Sequence, residues 1–138
     1  MKFSAATCTA VITAELQASI SLPVTHLPGA AARRYVMRKI AEIVEHIREE
    51  VHDAEKYAKK AILVKEEDRQ MGDVYIFLAK SELEHMEKLH TMVVRIIQAY
   101  RSEKGAPPEY MMMVWNWEHE RIVEKVTGVK TLIDMYNK

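Results

Sequence analysis

From Ala30 to Lys138, apolar residues recur at alternating steps of three and four, in three stretches of about thirty residues each. That spacing keeps one side of a helix apolar and the other wet, and a strand period of two cannot reproduce it. The interruptions fall where helices should end. Lys65-Glu66-Glu67-Asp68 is a charged turn, and the Asp68 carboxylate can accept a hydrogen bond from a free N–H of the helix that follows. Gly105 suits a helix stop, and Pro107-Pro108 followed by Glu109 suits a new start. The pattern predicts helices over about 31–64, 68–103 and 109–137. No run of four or more residues alternates apolar and polar between turn signals, so no strand is expected. Helices of ~30 residues are about 45 Å long, which makes the expected fold an all-α, elongated bundle of antiparallel helices.

Composition narrows the function classes. Twenty Lys and Arg balance twenty Asp and Glu. A neutral chain lacks the positive surplus that nucleic acid or an anionic membrane attracts, so neither is an expected partner. Cys8 is the single cysteine, which excludes an internal disulfide framework and any paired-cysteine metal site, and a cytoplasmic setting is expected. No apolar run approaches the ~18 residues that a membrane span needs. Residues 1–29 carry two charged side chains, Lys2 and Glu15, and are broken by Pro23 and Pro28. Their short apolar stretch is too rich in threonine for a secretion signal. They are expected to form a loose arm or to pack on a partner subunit, with 30–138 as the helical domain.

The chemistry lies along the helix seams. Steps of three and four give a first stripe of Ile40, Ile43, Ile47, Glu50, Ala54, Tyr57 and Ala61. The second reads Met71, Tyr75, Leu78, Glu82, His85, Leu89, Met92, Ile96 and Ala99, and the third Trp115, His119, Ile122, Val126, Val129, Ile133 and Tyr136. Each stripe is apolar except where it holds a carboxylate or an imidazole. A carboxylate left alone in a core costs several kcal/mol, so it is paired, protonated or bound to metal. Glu118, Glu120 and Glu124 fall off the third stripe in this register.

Glu50 lies 17 residues before residue 67, while Glu82 and His85 lie 15 and 18 after it. Across an antiparallel turn the three sit at one level, and Glu82 and His85, at i and i+3, share a helix face. Two carboxylates and an imidazole form a ligand set for iron or manganese. His119 is the fourth candidate ligand. Pairing Glu103 with Pro107 puts it opposite residue 91, about six residues or ~9 Å from His85 unless the turn staggers the helices. The alternative role for His119 is a core histidine bonded to Glu118 or Glu120. His90 lies near that height but about 100° off the seam, by the turn per residue of an α-helix.

Glu50-Val51-His52-Asp53-Ala54-Glu55-Lys56-Tyr57 followed by Glu82-Leu83-Glu84-His85 resembles the first half of the ferritin-like superfamily, as in rubrerythrins and bacterioferritins. There a helix-one Glu precedes a Tyr by seven positions, and a Glu-x-x-His follows about thirty residues on. The resemblance covers roughly residues 38–104, and Trp117-Glu118-His119-Glu120 is similar to the acidic third helix of rubrerythrins. It implies Glu50, Glu82 and His85 as metal ligands and Tyr57 as a nearby hydrogen-bond donor or radical sink. The chain departs from the family in having no fourth long helix and no second Glu-x-x-His after residue 85. Encapsulated ferritins are similar in being short, and complete the site by dimerising. The resemblance thus implies a homodimer or higher oligomer that pools four carboxylates and two imidazoles around iron or manganese, with iron oxidised by oxygen or peroxide.

Two readings follow. In one, the chain is a ferritin-like metal-binding protein. In the other, Glu50, Glu82 and His85 form a hydrogen-bonded triad that fixes helix register in a structural or interaction protein. Other features are absorbed by packing or solvation. Met111-Met112-Met113 with Trp115 and Trp117 suits a core or interface, since methionine fills irregular gaps. His46 suits an exposed position or a donor to Glu50, and Lys56, Lys59 and Lys60 a solvated face.

Overall fold

The computed structural model describes residues 26–138. The expectations for the N-terminal arm and for Cys8 fall mostly outside these residues. Three helices account for nearly all the described chain: α1 (Gly29–Val64), α2 (Arg69–Lys104) and α3 (Glu109–Asn137). At 1.5 Å per residue their 36, 36 and 29 residues span about 54, 54 and 44 Å. The ends are set locally. Asp68 adopts an extended conformation and its side chain accepts from the Met71 N–H, leaving fewer bare donors at the start of α2. Gly105 takes a positive φ of 86°, which a side chain would resist, and its N–H bonds the Arg101 carbonyl.

α1 is the central element. It packs along α2 and along α3, whereas α2 and α3 approach each other closely at few backbone positions. α3 runs parallel to α1: Arg48 pairs with Glu118 midway, and Lys65 Nζ donates to the Tyr136 carbonyl at the far end. Among the described residues no helix is long and apolar enough to cross a membrane.

The α1 stripe is buried much as expected through Ile40, Ile43 and Ile47, and continues through Val51, Ala54, Ala58 and Ala61. The α2 stripe needs correction. The buried face is Gly72, Ile76, Ala79, Leu83, Met86, Val93, Ile97 and Tyr100, one residue on from the stripe of Met71, Leu78 and Leu89. Ala54, Ala58 and Ala61 of α1 and Ala79 of α2 are small and fully buried, which allows a close approach that larger side chains would prevent, while Gly72 leaves room for the Tyr136 ring of α3. Side chains of the expected stripes flank the contact instead: Met71 and Met92 are 47% and 48% exposed, and Tyr57, Tyr75, Leu89 and Ile96 are half-buried. On α3 the buried position is Glu118, 8% exposed, and not its neighbour His119. The carboxylate is tolerated there because the Arg48 guanidinium reaches it from α1.

Candidate metal centre

Because α1 and α2 are antiparallel about residues 65–68, Glu50 comes level with Glu82 and His85. His85 Nδ1 lies 2.9 Å from Glu82 Oε2 and 3.4 Å from Glu50 Oε2. One donor atom from each residue lies within 4.8 Å of the other two, and among the described residues this is the one group of three such donors close enough to share an ion.

The site sits on the rim of the α1–α2 contact rather than in a closed core, and this corrects the seam expectation. The Glu50 and Glu82 side chains are 29% and 19% exposed, and His85 is 54% exposed. The rotation of α2 is the cause, since it turns Glu82 and His85 outward by one residue's angle. Partial burial still acts on the acids. Glu50 holds its proton more tightly than an ordinary glutamate, first through burial, then through the hydrogen bond and charge of Glu82, with His85 opposing. A cation placed among these atoms would replace that proton, as metal binding to carboxylates generally does.

Tyr57 stands seven residues beyond Glu50 on α1, about 10 Å along the helix. Its ring stacks on Tyr75 of α2, with centroids 6.1 Å apart, and Lys56 Nζ lies 5.0 Å from its centre. It therefore closes one end of the face that carries the triad without being one of its donors.

His119 is not brought to the triad. The turn register holds: its ring lies 5.0 Å from that of His90, and both rest against Trp115 at 5.7 and 5.5 Å. No hydrogen bond to Glu118 or Glu120 is formed; Glu118 is engaged with Arg48. Sequence spacing passed over His90 as a partner because it lies off the α2 stripe drawn through Leu89. The corrected stripe, through Met86 and Val93, carries it toward α3.

No protein-family model, curated protein or solved structure matches this chain.

Proposed function

We propose that the chain is a ferritin-like metal-binding protein whose site is completed by a second copy. The observation that carries this reading is the placement of Glu50, Glu82 and His85 together in the middle of a half-exposed apolar face. The donor set fits iron or manganese: two carboxylates and one imidazole, with open positions toward solvent. One chain offers three donors, fewer than an octahedral ion takes. An isologous dimer would set this face against itself across a two-fold axis and pool four carboxylates and two imidazoles. Met71, Tyr75, Leu89 and Met92 flank the donors on that face, and burying them would drive association.

Glu50 and Glu82 would hold the ions, with His85 as the nitrogen ligand and the Tyr57–Tyr75 pair shielding one end of the site from water. Iron bound there would supply the electron that oxygen or peroxide takes up. The second reading, a register-fixing triad, is supported by the hydrogen bond between His85 and Glu82 and by the 3.4 Å approach of His85 to Glu50.

Metal analysis of protein purified without chelator, together with its mass in solution, tests the proposal. Two irons per dimer are expected; a metal-free monomer at micromolar concentration would overturn it. Thermal melts with and without anaerobic Fe(II) separate the two readings. On the metal reading, Fe(II) raises the melting temperature of the wild type but not of Glu82→Ala or Glu82→Gln, and the apo forms of both variants melt close to wild type. A wild-type melt unmoved by Fe(II), with Glu82→Ala losing about 1 kcal/mol as a half-exposed pair would, leaves only the structural triad.

A further inference from the structure

His90 and His119 have no part in the site above, yet they face each other from α2 and α3. We propose that they form a second metal site, selective for a zinc-class divalent cation, which ties α3 to α2. The geometry comes first. A zinc–imidazole bond of about 2.1 Å places the ring centre about 3.2 Å from the ion. Two ring centres 5.0 Å apart then subtend an angle of about 100° at a shared ion, close to tetrahedral. Rotation about χ2 turns the nitrogens toward such a point while leaving the ring centres nearly in place.

The second observation is that both imidazoles lack a protein partner. Half-buried histidines ordinarily bond a carbonyl, a carboxylate or a hydroxyl. Among the described residues neither ring makes a hydrogen bond to protein, and their ring–ring contacts are with each other and with Trp115, while their nitrogens stay within reach of solvent or an ion. Protonation does not compete for the nitrogens near neutrality. Burial and the neighbouring His119 push His90 down to about 4, and burial lowers His119 against the opposing charge of Glu120. A neutral imidazole is the form that ligates metal.

The donor set also sets this site apart from the first. Two nitrogens with no carboxylate between them favour zinc over iron or manganese, and waters would fill the remaining positions. The location gives the ion something to do, because α2 and α3 come close at few backbone positions. A shared ligand there would hold α3 against the pair formed by α1 and α2.

Glu82→Ala removes the first site, so the test uses that variant, with His85→Ala as a second background, and Zn(II) alone as the probe. Calorimetry is expected to show one Zn(II) per chain and melts to show a rise in temperature. Imidazole nitrogen spectra should show His90 and His119 moving together while His26, His46 and His52 stay fixed. Adding His90→Asn or His119→Asn should abolish both the binding and the rise. The spectra on the unsubstituted pair decide the matter even if an Asn variant folds poorly. Absence of Zn(II) binding in both backgrounds, or Zn(II) that moves the surface histidines and not this pair, overturns the proposal. Because the first site is disabled throughout, failure here leaves the iron reading untouched.

Discussion

Gly72→Ala and Gly128→Ala make the same chemical change inside two helices and should move stability in opposite directions. Alanine is favoured over glycine in a helix interior by about 1 kcal/mol. At Gly128 an added Cβ meets no heavy atom within 4 Å, so the gain is realised in full. At Gly72 the same Cβ would lie 2.5 Å from the Tyr136 hydroxyl oxygen and 3.0 and 3.1 Å from two ring carbons. That ring has little room to yield. It is 1% exposed, its hydroxyl donates to Asp73 Oδ1 at 2.7 Å, and the Arg69 guanidinium lies 4.8 Å from its centre. Lys65 Nζ bonds the same residue's carbonyl. Overpacking of this kind costs about 1–3 kcal/mol, which exceeds the propensity gain and leaves a net loss of about 1 kcal/mol. For a chain of this size, 1 kcal/mol moves the melting temperature by about 4 °C. Thermal melts in chelator should therefore show Gly128→Ala about 4 °C above wild type and Gly72→Ala about as far below it. Tyr136→Phe removes the nearest atom, so Gly72→Ala should be milder in that background. A Gly72→Ala protein more stable than wild type, or an equal penalty with and without the Tyr136→Phe substitution, would refute the reasoning.

Two further outcomes follow from the charges. Burial lowers the His90 pKa from 6.5 to about 4, so the unfolded chain takes up that proton first as pH falls. Stability contributed by neutral His90 is complete above 6.5 and lost on descending toward 4, a loss of about 2 kcal/mol once partial solvent access is allowed for. Urea midpoints at pH 7 and pH 5 should therefore fall further in wild type than in His90→Asn; Glu50, with its raised pKa, acts in the opposite sense in both proteins, and equal falls would refute the assignment. Arg48→Ala strands the buried Glu118 carboxylate and should cost about 1–3 kcal/mol, more than Glu118→Gln, which removes the charge along with the need for a partner. The order of the two denaturation midpoints checks this.

What the sequence made legible was what single residues decide. Asp68, Gly105 and Pro108 each act within one turn of their own position, so the helix limits could be read without knowing what the helices touch. The level of the triad was legible for a similar reason: a short turn between antiparallel helices fixes height to within a turn. Rotation about the helix axis was not legible, because it is a property of pairs. Reading α2 by the size of its apolar side chains selects Met71, Leu78 and Leu89. The buried face instead uses Gly72, which leaves room for the Tyr136 ring of α3, and Ala79, which is fully buried, and what such small residues make possible is a term that no single residue's hydrophobicity contains. The same blindness exchanged Glu118 for His119, since a glutamate is acceptable at a buried position only once Arg48, 70 residues away, is known to reach it.

The discrepancy on α2 bears on function. A helix that needs one neighbour carries one apolar stripe. α2 carries two adjacent stripes, a buried one through Ile76, Ala79, Leu83, Met86, Val93 and Ile97 and a second through Met71, Tyr75, Leu89 and Met92 that the chain itself covers only in part. Glu82 and His85 belong to the second stripe. If that stripe existed only for solvent, polar residues would serve there at no cost, and the two candidate ligand residues would be as well placed among lysines. Their position inside an apolar band makes the proposed dimer and the proposed metal site a single hypothesis, since the surface that draws two copies together is the surface that carries the donors. Charging the band without touching a ligand, as in Leu89→Lys with Met92→Glu, should then abolish dimerisation and iron binding together. Light scattering and Fe(II) titration on that one variant check it. A monomer that still binds iron as tightly as wild type would show the site to be complete within one chain.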